Sequence, residues 1–249
     1  MHSLLHQLTA VLFMLLVFNT SATVLCVDLN CPSPTPPYTN WTTAATNIQD
    51  AVDAADPGDT LLVTNGVYRT GGRIVYGAMS NRVAVTKYVI VQSVNGPAVT
   101  LIQGFQVPGT TNGDSAVRCV YLTNKATLVG FTLTNGATRA TGDLYQEMSG
   151  GAAWCAGNSV ISNCSLVCNS AKQFGGGTYQ GILSGCSLMN NTAWIGGGVE
   201  MAKATNCLFS GNSAGNLGGG ADSAGLYNCT LSGNLAYMGG GVSQGRSAF

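Results

Sequence analysis

Asn163–Thr178 reads NCSLVCNSAKQFGGGT, Asn206–Ala221 reads NCLFSGNSAGNLGGGA and Asn228–Val242 reads NCTLSGNLAYMGGGV. Each copy has a cysteine, an apolar residue two positions later, an asparagine five positions later and then a glycine triplet. A fourth copy around Cys186 keeps the same order, so Cys164, Cys186, Cys207 and Cys229 advance by 22, 21 and 22 residues. Self-similarity at that fixed step is the signature of a solenoid, in which each coil buries its apolar edge only by stacking on its neighbours.

The columns of this repeat have separate physical roles. Leu166, Leu188, Phe209 and Leu231 follow the cysteines by two, as the inward side of a half-buried strand requires. Phe174, Ile195, Leu217 and Met238 precede the triplets, and Thr178, Val199, Ala221 and Val242 follow them; both columns are expected in the core. Asn169, Asn191, Asn212 and Asn234 form a further column. Asparagine tolerates left-handed backbone angles, and amides stacked about 4.8 Å apart can hydrogen-bond along the column. The glycines permit positive φ or close backbone approach at a bend. They do not read as a phosphate cradle, because no helix and no Lys-Ser/Thr follows. The cysteine column reads as small buried hydrophobes, since side chains in parallel register rarely reach disulfide geometry.

Upstream of the repeat the same coil continues in less regular form. Strands are expected over 60–64, 82–85, 88–92, 99–102, 117–122 and 127–133, with longer excursions over 105–116 and 137–148. Gly130 opens a coil with Phe131 in the cysteine position and Gly150-Gly151 in place of the triplet. Before the strands, TTAATNIQDAVDAA (42–55) puts Ala45, Ile48, Val52 and Ala55 on one helical face, with Asp50 and Asp53 opposite, and Asp56-Pro57-Gly58 stops it. One amphipathic helix at the start of a parallel solenoid covers apolar surface and strand edges that the first coil would otherwise expose.

The chain therefore divides into a signal peptide (1–22), a leading strand with its capping helix (23–56), and a right-handed parallel β-helix (57–249) of about nine coils at the repeat step. The signal peptide is read from the apolar run Leu8–Phe18 followed by Asn19-Thr20-Ser21-Ala22, with cleavage after Ala22. A buried N-terminal strand or helix is the competing reading, and the run is too short to span a bilayer. Both histidines, His2 and His6, fall in this segment, so the mature chain has no histidine acid–base chemistry, Ser-His-Asp triad or His-ligated zinc.

Composition narrows the function classes. The 249 residues are 45% hydrophobic and only 8% charged, so disorder is excluded, and zero formal net charge without a basic run argues against nucleic acid and anionic membranes as partners. Nine cysteines, an odd number, allow disulfides after export but leave at least one unpaired or joined to another chain. Cys26 and Cys31 are the best local pair, and Cys155 and Cys168 lie outside the ladder. No C-x-x-C is present, against structural zinc or thioredoxin-like chemistry.

At this point the chain resembles the right-handed parallel β-helix, or pectin-lyase-like, superfamily. The stretches IQDAVDAADPGDTLLVTNGVY (48–68) and VIVQSVNGPAVTLIQG (89–104) are similar to the N-terminal cap and first coils of its secreted bacterial members. The later repeats resemble the GGA[ILV] and FxxN repeats of polymorphic outer membrane proteins; Phe209–Asn212 is a literal FxxN, and the other copies have Leu for Phe. The resemblance covers nearly all of the mature chain. It implies an exported protein, extracellular or on the outer cell surface. It specifies fold far more than activity, since the superfamily hosts lyases, hydrolases, adhesins and passenger domains.

One column can carry chemistry. Four residues past the start of each triplet is an outward position, occupied by Tyr179, Glu200, Asp222 and Ser243, with Trp154 below. Glu200 and Asp222 are thus expected on neighbouring coils about 4.8 Å apart, where like charges repel. Bound calcium, a raised pKa on one acid or splaying into water would relieve this. Paired carboxylates beside exposed aromatics suit glycoside chemistry, with Glu200 and Asp222 as the catalytic acids and Trp154, Tyr179, Arg139 and Tyr145 binding the sugar. The last two lie in the excursion 137–148. Calcium on Glu200 and Asp222 is the only cofactor considered; the nonapeptide calcium repeat is excluded by the period.

The residues favour a secreted or cell-surface β-helix protein without catalytic activity: structural, adhesin-like or glycan-binding. The alternative is a polysaccharide lyase or glycoside hydrolase acting on an extracellular polysaccharide at Glu200 and Asp222. In either case the partner is a polysaccharide or a host or neighbouring cell surface, with no nucleic acid and no transmembrane segment in this chain.

Overall fold

The computed structural model describes residues 22–123 and 125–248. The segment read as a signal peptide lies, except for Ala22, outside the described residues. Three parallel sheets run the length of the molecule. One coil shows the plan: Ile182–Ser184 lies in the first sheet, Ser187–Met189 in the second and Val199–Glu200 in the third, and the chain then returns to the first sheet at Lys203–Thr205. Ile182 pairs with Lys203, Ser187 with Leu208 and Val199 with Ala221, so every coil lies in register on the next. This is a right-handed parallel β-helix. Among the described residues the one antiparallel pairing between strands is Arg73–Ile74 on Ser80–Val85.

Where nine coils are expected after residue 57, the described residues form seven complete turns, beginning at Thr60, Ile90, Thr127, Val160, Ile182, Lys203 and Gly225, and the start of another at Arg246. The ninth strand of the first sheet, Val24–Val27, comes from before the helix and pairs with Thr60–Val63. The first three turns are longer than the repeat step, the second and third because of the excursions 105–116 and 137–148, and this is why division by that step overcounts. The strand expected over 127–133 is two strands, Thr127–Val129 and Thr132–Thr134, in different sheets. Gly130, at φ +77°, turns the corner between them.

The helix is shorter than its apolar period, spanning Ile48–Ala54. Asn47 caps it by accepting the Asp50 N–H at 2.8 Å, while Asn40 caps a separate 3-10 turn at Trp41–Thr43. Between the caps Ala45 is extended and exchanges hydrogen bonds with the leading strand, donating to Cys26 O at 2.9 Å and accepting from Asp28 N at 2.8 Å. Ala45, Ile48, Val52 and Ala55 are all buried as expected.

Within the barrel Leu133, Leu166, Leu188 and Phe209 are fully enclosed, as are Ile161, Leu183, Val199 and Ala221. The column before the triplets is not in this core. Met238 is 53% exposed, and Phe174, Ile195 and Leu217 are half-buried. The glycine arch reverses the chain, placing these residues outside the third sheet while the residues after the triplet point in. Gly196 has φ +66°, and a Cβ on Gly197 would sit 2.5 Å from both Gly219 O and Ser213 O, so the arch has room only for hydrogen.

The asparagine ladder forms with full hydrogen-bond use. Asn191 Nδ2 donates to Leu166 O and to Asn212 Oδ1, both at 2.9 Å, and its own Oδ1 accepts from Asn169 N at 3.1 Å and Asn169 Nδ2 at 2.9 Å. The left-handed residue at this bend is the one before each asparagine: Cys168, Asn190, Gly211 and Gly233 have positive φ. The ladder residues themselves do not, because an inward amide must align with the coil above. All nine cysteines are free thiols. In the column Cys164 Sγ, Cys186 Sγ and Cys207 Sγ contact the carbonyls of Ser162, Ser184 and Thr205 at 3.2, 3.5 and 3.3 Å. Cys26 and Cys31 share a small buried cluster with Ala44, as thiols rather than the expected bridge.

Candidate active site

The register of the third sheet builds the site. Ala84, Tyr121, Trp154, Tyr179, Glu200, Asp222 and Ser243 are successive partners along one face. Inward neighbours on the same strands are apolar or small, so this face lies outside the barrel. The expected adjacency of Glu200 and Asp222 is therefore present, and so is the extension through Tyr179 to Trp154. Tyr121, one coil further, was missed: it stacks on Trp154 with centroids 4.7 Å apart and planes 3° from parallel. Its distance from Trp154 in sequence is 33 residues, so the excursion between them hides the period.

Exposure is where the expectation fails. Trp154 and Tyr179 are 7% and 5% exposed, Glu200 and Asp222 7% and 3%. Phe174 packs against Tyr179 at 6.1 Å, and the arch register places Ile195 and Leu217 one and two coils on, flanking Glu200 and Asp222 in the equivalent positions. The arches thus roof the column. Over its lower part the excursion completes the roof: Tyr145 stacks on Phe174 at 5.7 Å and meets Tyr179 at 6.3 Å, and its carbonyl accepts from Trp154 Nε1 at 2.8 Å. Among the sugar-binding candidates only Tyr145, at 54%, offers an exposed ring.

Arg139 does not face the column. It pairs with Asp114 at 2.9 Å and Glu147 at 3.3 Å, bracing the excursion internally. Glu147 in turn accepts the Ala78 and Asp143 N–H groups, and those bonds hold its carboxyl below the usual range. The residue that fastens the excursion is Arg118, which no motif or spacing in the sequence singles out. Fully buried, it donates to Gly150 O, Asn81 Oδ1, Gln146 O and Ser149 O at 2.7–2.8 Å. Burial pulls its guanidinium down to about 9.

The acid pair is electrostatically unusual. Burial, first, and the nearby charge of Asp222 push the Glu200 carboxyl up to about 8. Asp222 Oδ2 accepts the Ser223 hydroxyl at 2.8 Å, whereas Glu200 Oε2 and Asp222 Oδ1 are enclosed without a partner. No lysine or arginine is ion-paired with either acid among the described residues. Ser223 also lines a cleft of about 380 Å³ at the corner of the coil, with Met201, Lys203, Tyr227 and Gln244. As a calcium site the pair is short of donors: two carboxylates and one hydroxyl stand against the six to eight oxygens that ion takes. Nowhere among the described residues do three or more His, Cys, Asp or Glu side chains gather to hold a metal.

The fold has solved counterparts. A rhamnogalacturonan lyase superposes with TM-score 0.53 at 14% identity, over 91% of this chain and 63% of its own length. Pectate lyase Pel9A gives 0.53 at 13%, over 88% of this chain and 56% of the enzyme. A pectin methylesterase in complex with a hexasaccharide gives 0.53 at 12%, over 91% and 71%. The chain thus spans less than two thirds of the two lyases. At this identity the likeness is one of fold. Compared with family models and curated sequences, the chain matches none.

Proposed function

We propose that this β-helix acts on a polysaccharide as a hydrolase, with Glu200 and Asp222 as a carboxyl pair sharing one proton. The observation that carries the reading is the pair itself: two enclosed acids on adjacent coils, each with an unpartnered oxygen, and Glu200 still protonated near neutral pH. Groups whose surroundings drive their proton affinities apart are what acid–base catalysis uses. Asp222, oriented by Ser223, would take a proton from water, and Glu200 would give one to the leaving oxygen. Stacked as register partners on adjacent strands of a sheet, the two acids resemble an acid dyad that activates water. Elimination next to a uronate is less well served, because among the described residues no lysine or arginine is ion-paired with the acids to neutralise that group. The saccharide substrates named for the structural counterparts support a polysaccharide as the partner, approached through the corner cleft beside Ser223.

Burial of both carboxyls favours a second reading, in which the protein is exported, extracellular or displayed on an outer cell surface, and binds glycans through Tyr145 and its neighbours without turnover. One experiment separates the two. Purified protein is incubated with neutral, acidic and esterified polysaccharides while reducing ends, released acid and unsaturated products are followed. Hydrolysis that falls by about 100-fold or more in Glu200→Gln and Asp222→Asn supports the dyad. Unsaturated products would replace hydrolysis by elimination. Glycan retention without any product would establish the binding reading, and activity unchanged in both variants would remove the pair from the chemistry.

A further inference from the structure

The leading strand begins at a buried carboxylate. Thr23 N donates to Asp59 Oδ1 at 2.7 Å, and Thr23 O accepts from Thr60 N at 3.0 Å, so the residue is held at both ends. Asp59 is 6% exposed, and its other oxygen accepts Asp56 N–H at 2.8 Å. Among the described residues no lysine or arginine is ion-paired with it. The nearby ammonium of Lys87 is taken by the carbonyl oxygens of Asp53 and Ala55. An enclosed carboxylate without a cation is unfavourable, and a peptide N–H only partly answers it.

We infer that Asp59 is a receptor for the mature N-terminus, and that processing between Ala22 and Thr23 completes it. The inference rests on reading 1–22 as a signal peptide. A processing peptidase hydrolyses the Ala22–Thr23 bond: water oxygen adds to the Ala22 carbonyl carbon, the C–N bond breaks, and the Thr23 nitrogen gains a hydrogen from water and one further proton. The nitrogen that donated as a neutral amide becomes an ammonium, already within hydrogen-bond reach of Asp59 Oδ1. The precursor has an uncompensated carboxylate at this point and the mature chain an ion pair. Because Val24–Val27 pairs with Thr60–Val63 and Cys26 O accepts from Ala45 N beside the helix cap, the new charge fastens the whole capped end of the solenoid.

The test uses the chain from Thr23 onward, released from a fusion with a free amino group, and the same chain acetylated at the Thr23 nitrogen. The free-amino form is expected to melt about 3 °C or more above the acetylated form, with slower amide exchange over Val24–Val27. Asp59→Asn is expected to abolish the difference. Equal melting and exchange of the two forms overturns the ion pair, and this comparison does not depend on the variant folding. Separately, the N-terminus of the exported protein is read by mass spectrometry. A start at Thr23 supports the inference; a start elsewhere overturns the processing step, whatever the melting comparison shows of the ion pair.

Discussion

Glu200 and Asp222 are register partners on successive coils of the third sheet, and the Glu200 carboxyl is pushed up to about 8 by burial and by Asp222. The consequence for stability has a definite sign. Between the unfolded value, about 4.3, and the folded value, the native state binds more protons than the unfolded chain, so stability falls as pH rises through that window and levels off above it. Thermal melts from pH 5 to 9 are expected to show this decline in the wild type. Glu200→Gln, which does not titrate, is expected to flatten it. An unchanged slope in that variant would mean that another group is responsible.

Arg118 holds the excursion to the sheet through the carbonyls of Gln146, Ser149 and Gly150. Arg118→Ala is expected to free the segment and speed tryptic cleavage after Arg139 by about tenfold or more. Arg118→Lys should not restore resistance, because an ammonium cannot reproduce the planar fork. Timed digestion with mass analysis checks this, and equal cleavage in all three proteins would dissociate Arg118 from the loop.

The asparagine ladder makes a sharper demand. Asn191→Ala strands Leu166 O and two Asn169 donors in the interior, leaves Asn212 Oδ1 only the backbone N–H of residue 191, and is expected to lower unfolding free energy by about 3 kcal/mol. Asn191→Asp fails similarly, since a carboxylate cannot donate. Asn95, which donates to Asn65 on the surface and has no left-handed backbone to lose, is the control: its change to Ala is expected to stay within about 0.5 kcal/mol. Urea midpoints measure all three.

Glycine at the arch is required for space. Gly197→Ala would press a methyl onto two backbone carbonyl oxygens and is expected to destabilise by about 3 kcal/mol, whereas Gly241→Ala, whose new Cβ meets nothing closer than Leu231 Cδ2 at 3.9 Å, should be nearly neutral. Chemical denaturation of the two variants distinguishes steric exclusion from a general preference for glycine.

The repeat step alone was enough to place Glu200 beside Asp222, Asn191 between its ladder partners and Leu188 in the barrel, because stacking in register converts a fixed spacing in sequence into a fixed neighbour in space. The helix face and the buried thiol column were legible for the same reason: each depends on local period or on size. The coil count, the break at Gly130 and the membership of Tyr121 were obscured where excursions of unequal length interrupt the step. Tertiary structure alone decided exposure. Ile195 and Leu217 look like core residues in sequence, yet the glycine arch turns them over the outer face, and Tyr145 arrives from a distant excursion to cover Tyr179. A periodic sequence specifies which residues align along a column; whether that column meets water depends on what folds over it, and for the acid pair that covering raises the Glu200 carboxyl.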